Sequence, residues 1–403
     1  MKRFGFTHFK QIIKLGGVPG YLLIGYYVVQ VVFARGKADM AAIDGAAIIF
    51  ASYAALCGLY SWHDFQKNRY GRFFLKQLFL KTGILWFSLY TLIAFISSCW
   101  SPIPILSAYR AVECMGMLLL NAAIIKNLLA LKNEYYAMLW SVCYAFLMLS
   151  FTFASSFKGG GIYMALYNCQ FPATIFFYLA FYFAPSWWIK YPIELLAIFC
   201  KSVTGYCGMA LGLCSLMFGS AKYRLLGGAI AVGLLFAVST IGFDELLNQT
   251  IFASKGGVLV DGEIDPNKTS GRSNVWELAI RKITEENHLY YGYGFVAGET
   301  VFARRIQGPM VIGMHNGFLS ALIGTGLFGL ITFALFMVQT SVSPFNRKIP
   351  NKYKTVLIAS LCVILVHTVG NPGLGFRVYG TWMPAMYIVM LINGFYIKYT
   401  KMK

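Results

Sequence analysis

Charge is scarce in this chain. Of 403 residues only 12% are Asp, Glu, Lys or Arg, about half the share of a soluble domain. With 58% hydrophobic residues, that shortage excludes an ordinary soluble domain and leaves the membrane class. The nine cysteines include no C-x-x-C pair. Cys57, Cys114, Cys143, Cys169, Cys200, Cys207, Cys214 and Cys362 lie in apolar runs, where a thiol acts as a small hydrophobe. Disulfides and thiol chemistry are therefore not expected. No histidine pairs with another at helical spacing and the acids of the polar segment are scattered, so neither a metal centre nor a cofactor is expected. Ser-His-Asp and Cys-His arrangements are missing as well, as is an internal repeat. The basic N-terminal stretch is followed by no small-residue cleavage site, so a cleaved leader is not expected.

Long apolar runs are what is present. A bilayer core about 30 Å thick takes roughly 20 helical residues. Some twelve such runs fall near 18–34, 41–60, 79–98, 108–130, 135–157, 165–184, 186–200, 203–219, 225–242, 316–341, 354–371 and 378–397. The expected fold is all-α and polytopic, with helices over 1–242, a polar segment over 243–313 and helices over 314–403. Lys and Arg separate the two faces. With a cytoplasmic N-terminus, Lys67, Arg69, Arg72, Lys76, Lys126, Lys132, Lys190, Arg347, Lys348 and Lys352 fall on the inner side, along with both chain ends. The short outer loops keep only Arg35, Lys37, Arg110, Lys158, Lys201 and Arg377. This is the positive-inside pattern. The net charge of +19 is thus topological signal, and no nucleic-acid partner is expected.

On that topology segment 243–313 faces outward. It holds nine of the 15 acidic residues, against seven Lys and Arg. Ser273 or Asn274 can cap a helix running to about Glu286, with Val275, Trp276, Ala279, Ile280 and Ile283 on its apolar face. Such a helix suits the membrane interface, at a depth Trp276 favours. His315 stands just before the helix that starts at Asn316. A neutral imidazole there can take a proton from a sugar hydroxyl; equally, His315 and Asn316 can simply cap that helix. Arg272 can grip a diphosphate bidentately or touch lipid headgroups. Arg304-Arg305 is a second possible clamp. Arg110 lies at an outer helix end, three residues before Glu113, where a local ion pair is the simplest account. Gly292-Tyr293-Gly294 lacks the strand and the third glycine of a dinucleotide loop, and its glycines allow a tight turn. His367 reads as a core or cavity-lining histidine. Asp44, Glu113 and Glu194, in or beside apolar runs, are the main support for an alternative of another class, a transporter or flippase.

Three segments in order, TSGRSNVW (269–276), GYGF (292–295) and HNGFLSALIGTGLFG (315–329), resemble the bacterial O-antigen ligase and polysaccharide polymerase superfamily. So does Ser97-Ser98-Cys99-Trp100-Ser101-Pro102, followed by Ser107 and Arg110. The resemblance implies a GT-C-like fold in the bacterial inner membrane. It also implies inverting, metal-independent transfer of a glycan from undecaprenyl diphosphate to an acceptor sugar hydroxyl. By position His315 is then the base and Arg272 a diphosphate-binding arginine. Lys201, Arg304, Arg305, Arg110, Asn316 and Trp276 are the further candidates for the substrate site. Family members often carry a Ser-Arg pair where this chain reads Lys201-Ser202-Val203. Lys201, Arg304 or Arg305 would then supply the second phosphate contact. The acceptor is either another lipid-linked glycan, as in the polymerase branch the pattern resembles more, or lipid A-core, as in a ligase. Membrane lipids are the remaining partners.

Overall fold

The computed structural model describes residues 5–33, 45–199, 203–214, 272–307, 314, 316–370, 373–375, 378 and 382–401. Among these, all regular structure is helical. The helices are α1 (Phe6–Lys14), α2 (Gly17–Val32), α3 (Gly45–Gln66), α4 (Arg69–Lys81), α5 (Ile84–Ile96), α6 (Pro104–Leu129), α7 (Tyr135–Phe183), α8 (Trp187–Ile198) and α9 (Val203–Cys214). They continue with α10 (Arg272–Glu285), α11 (Ala297–Gln307), α12 (Gly317–Val342), α13 (Asn351–Gly370) and α14 (Trp382–Lys401).

Among the described residues four helical stretches are long and apolar enough to cross a bilayer unaided: α6, the first half of α7, α12 and α13. The bent pairs α1–α2 (111°) and α4–α5 (81°) bring the number to six. The chain is an integral membrane protein. Its helices cover most of the expected runs, yet not as twelve full spans. α8 has 12 residues, about 18 Å of helix against a core of about 30 Å, and the run 203–219 is described only as far as Cys214. The run 225–242 lies outside the described residues.

The runs expected at 135–157 and 165–184 merge into α7, but the chain reverses inside it. Gly161 takes φ 73°, and Cys169 Sγ lies 3.4 Å from Leu149 O. A straight helix would hold two such residues about 30 Å apart. The two halves therefore run antiparallel, and Asn168 donates across them to Ser156 at 2.9 Å.

At the centre, α6 and α14 are buried along nearly their whole length. Ala54 and Gly58, four residues apart on α3, let its backbone meet that of α6 at Gly116, the small-residue contact by which helices pack where lipid removes the hydrophobic drive. Trp140 stacks on Tyr387 at 5.6 Å, and the Tyr387 hydroxyl meets Ser141 at 2.8 Å. Several buried polar groups here find partners, as an apolar surround demands. His367 is one of them, 2.8 Å from the Thr174 hydroxyl. Glu113 is another: it takes Arg110 Nη1 at 2.7 Å and the Tyr26 hydroxyl at 2.9 Å. Glu194 lies 3.7 Å from Lys190, and Asp44 falls outside the described residues.

α10 runs where the sequence expects an amphipathic helix, but its apolar stripe is spent on protein. Ala279 and Ile283 are fully buried against Phe302 and Ala303 of α11 and Leu319, Leu322 and Ile323 of α12. Ile280, expected on the same face, is 50% exposed. It lies roughly 70° from the centre of the stripe formed by Trp276, Ala279 and Ile283, beyond the reach of either neighbour.

Candidate functional site

The site region is assembled where α12 opens. α10 ends in a left-handed residue, Asn287 (φ 60°). His288 N–H returns to Ile283 O at 3.0 Å and Asn287 N–H to Thr284 O at 3.1 Å, a helix-ending motif that satisfies its last carbonyls. The chain then turns into Gly292-Tyr293-Gly294-Phe295 and meets α12 at Gly326, whose φ of 72° and ψ of −168° break the helix. The break exchanges bonds. In an unbroken helix Leu327 N–H would donate to Ile323 O; here it donates to Leu289 O at 2.8 Å. The freed Ile323 and Gly324 carbonyls accept from Tyr293 N–H at 2.8 Å and Gly294 N–H at 3.0 Å. The glycines follow from the closeness of this junction: a Cβ on Gly292 would stand 2.6 Å from Gly326 N.

The serine-rich segment after α5 grips the other side of the same loop. Ser97 Oγ accepts from Phe295 N–H at 2.9 Å, and Ser107 Oγ donates to Phe295 O at 2.6 Å. Ser101 and Ser107 share a hydrogen bond of 2.8 Å, and Trp100 Nε1 donates to Tyr291 O at 3.1 Å. Two motifs almost 200 residues apart in sequence are thus one interlocked unit. The Tyr293 ring is stacked between His288 (4.2 Å) and Phe302 (4.7 Å).

The two chain neighbours of His315 are each held. The Trp276 indole donates to Met314 O at 3.0 Å, and Met314 N–H donates to Glu299 Oε1 at 3.3 Å. Asn316 Oδ1 accepts from Phe318 N–H at 2.9 Å and Leu319 N–H at 3.0 Å, so Asn316 by itself caps α12. Glu299, on α11, is buried and also accepts from Ser320 Oγ at 2.6 Å.

Of the residues singled out in the sequence, His315 and Lys201 lie outside the described residues. Arg272 opens α10. Trp276, expected at the lipid interface, instead ties α10 to the His315 segment. Arg305 is committed to structure: it bonds Glu286 at 2.8 Å and lies over the Phe302 ring at 5.1 Å. Burial alone would raise the Glu286 carboxyl, but hydrogen bonds from Tyr293 and Arg305 outweigh it and hold it below the usual carboxylate range. Burial, with the bond to Glu286, pushes the Tyr293 phenol up. Arg304, the residue before Arg305, has a buried Nε without a hydrogen-bond partner among the described residues. Arg110 is paired with Glu113, and its Nε too lacks a partner among the described residues.

Sequence reasoning missed α11 and with it Glu299. Phe302, Ala303 and Ile306, spaced to share a face and buried against α10 and α12, were the available signal. Glu299 was lost among the many acids of the polar segment. Among the described residues no three His, Cys, Asp or Glu side chains converge.

No curated protein matches the chain. Residues 193–334, from α8 through the opened part of α12, match the family model described as O-Antigen ligase. That match contains the Arg272, Gly-Tyr-Gly and His315 segments, and it supports a likeness over those residues to the O-antigen ligase and polymerase superfamily.

Proposed function

We propose that the protein transfers a glycan from undecaprenyl diphosphate to a sugar hydroxyl at the outer face of the bacterial inner membrane, with inversion and without a metal. The observation that carries this reading is the interlock around Phe295 and Gly326. It joins three of the four motif segments that the sequence shares with the superfamily, and Trp276 of the fourth holds Met314, the residue before His315. Rigid placement is what this chemistry needs, because the diphosphate is already a good leaving group and catalysis reduces to a base, charge stabilisation and positioning. With Asn316 serving as the cap, α12 asks nothing of His315.

In the proposed step the His315 imidazole accepts the proton of the acceptor hydroxyl. The hydroxyl oxygen bonds to the anomeric carbon, and the bond from that carbon to the diphosphate breaks on the opposite face. The electron pair leaves with the diphosphate, whose charge Arg272 and Arg304 receive. Arg304 is preferred over Arg305 as the second phosphate contact because Arg305 already serves Glu286. The distribution of Lys and Arg supports a reading with segment 243–313 outside and both chain ends in the cytoplasm.

The preferred acceptor is a second lipid-linked repeat unit, which makes the protein a polymerase. The test is to supply the purified protein in vesicles with the lipid-linked repeat unit alone, in excess chelator. Chain growth is expected. Transfer that starts only when lipid A-core is added would make the protein a ligase. Transfer to neither, or activity that a divalent ion restores, would refute the proposal.

A further inference from the structure

The two bent helix pairs leave α1 and α4 across one end of the bundle. α5 runs beside α6 and α12, and α4 turns 81° away from it, as α1 turns 111° from α2. Both ends are the same end. The Tyr70 hydroxyl of α4 donates to Lys126 O at 3.5 Å, and Asn127 Nδ2 donates to Gly16 O, at the α1–α2 bend, at 3.2 Å. Lys126 and Asn127 stand in the last turn of α6, whereas Ser107 in its first turn holds Phe295 beside the Gly-Tyr-Gly loop. About 28 Å of helix separates Ser107 from Lys126, close to one bilayer core. α1 and α4 therefore lie at the membrane face opposite the site region.

α4 divides its surface in a way that neither water nor hydrocarbon alone suits. Gly71, Phe74, Leu75 and Leu78 are buried, with Phe74 stacked on Phe65 at 6.4 Å. The open side splits in two. Arg72, Lys76 and Arg69 fill roughly 60° of it, and Leu80 and Phe73 occupy roughly the next 40°. All five are exposed, Leu80 by 56%. Water would leave the two apolar side chains hydrated, and hydrocarbon would strand three charges. The headgroup boundary accommodates both halves. α1 is built alike, with Lys10 and Lys14 exposed beside Phe6. Neither helix contains an acidic residue. The acids at this end are taken, Asp64 by Lys126 and Glu134 by Lys398. Among the described residues no carboxylate forms an ion pair with Arg69, Arg72, Lys76, Lys10 or Lys14.

We infer that α4, together with α1, is a binding site for anionic phospholipids of the leaflet opposite the site region. Lipid phosphates meet Arg69, Arg72 and Lys76, and acyl chains cover Phe73 and Leu80. Arginine pairs with phosphate oxygens through its planar fork, and the headgroups supply the countercharge that the protein's own carboxylates do not. Free phosphate would engage only the basic half; the apolar half selects a lipid. The inference is independent of the transfer reaction.

The experiment offers the purified protein in detergent equal amounts of phosphatidylglycerol and phosphatidylcholine, at rising concentrations, and counts retained lipids by native mass spectrometry. Phosphatidylglycerol should be retained in preference, and less so when the lipids are added in high salt, where charges are screened. A basic residue near an anionic surface is worth about fivefold in affinity. Replacing Arg69, Arg72 and Lys76 together by Gln should thus weaken phosphatidylglycerol binding about 10²-fold and leave phosphatidylcholine unchanged. Phe73→Ser with Leu80→Ser should weaken both lipids alike. Arg281→Gln with Lys282→Gln, on α10, should leave the preference intact. If the triple variant fails to fold, Arg72→Gln alone decides, with a loss of about fivefold expected. Equal retention of the two lipids by the unaltered protein would overturn the inference, as would an unchanged preference in the folded triple variant or in Arg72→Gln. Release of phosphatidylglycerol by millimolar inorganic phosphate would reduce the site to one for a bare anion, and loss of the preference in the α10 variant would reduce it to net charge; either overturns it.

Discussion

Replacing Gly326 by alanine tests whether the junction of α12 with the Gly-Tyr-Gly loop holds the site together. The methyl group meets two obstacles. The backbone at φ 72° and ψ −168° lies in a region essentially reserved for glycine, which costs an L-residue about 1–3 kcal/mol. The added Cβ also collides with the Tyr290 carbonyl and Tyr291 N, which are main-chain atoms and cannot rotate aside. Relief requires the loop to lift away, breaking the bonds Tyr293–Ile323, Gly294–Gly324 and Leu327–Leu289. At about 0.5–1.5 kcal/mol each, with the backbone strain, the loss is about 3–7 kcal/mol. Domain stability is about 5–15 kcal/mol, so the effect is large. Gly324→Ala is the internal control. Its Cβ would lie 3.4 Å from Phe295 Cα, an ordinary contact, and its φ is not positive. Thermal unfolding of the purified variants in detergent, read by tryptophan fluorescence, should show a strongly lowered midpoint for Gly326→Ala and a shift worth less than about 1 kcal/mol for Gly324→Ala. Transfer activity should vanish only in the first. Equal midpoints for the two variants would refute the reasoning.

Ser97→Ala leaves the buried Phe295 N–H unpaired and should cost about 1–3 kcal/mol, whereas Ser107→Ala should cost about 0.5–1.5 kcal/mol, because Phe295 O still accepts from Ala297 N–H; a double mutant in unfolding assays should fall short of the sum, since both act on one loop. His315→Ala should abolish transfer with donor binding nearly intact, a loss of about 10²–10⁴-fold, while Arg272→Lys should weaken donor binding too, because lysine keeps the charge and loses the fork; near-normal turnover in either would reject that role. Because the Glu286 carboxyl is held below its usual range, the Glu286–Tyr293–Arg305 cluster stabilises the loop fully above a pH of about 4.3. That contribution should disappear as pH falls through the lowered value, and Glu286→Gln should remove this part of the pH dependence of unfolding. A cysteine placed at Asp261 should react with an impermeant thiol reagent from outside the inner membrane, and protection there would overturn the topology.

The class of this protein was written in its sequence, and so were most of its described helices, α11 apart, because both depend on local pattern. Runs of apolar residues announce membrane helices without reference to any partner, and the break near Gly161 falls between two expected runs. Asn316 reads as a helix cap for the same local reason. What the sequence could not convey is which surface each helix meets. The stripe of Trp276, Ala279 and Ile283 is equally suited to lipid and to protein, and only the arrival of α11 and α12 decided for protein. Arg304 and Arg305 are adjacent and chemically alike, yet one lies against Glu286 and the other does not, since successive helical residues point about 100° apart. Ser97, Ser107, Phe295 and Gly326 come from distant parts of the chain, and hydrogen bonds between such positions leave no periodic trace along it. Glu299 is the sharpest case. In sequence it is one acid among many; burial between α11 and the start of α12 makes it a hub, because a carboxylate shut off from water must find its donors within the protein.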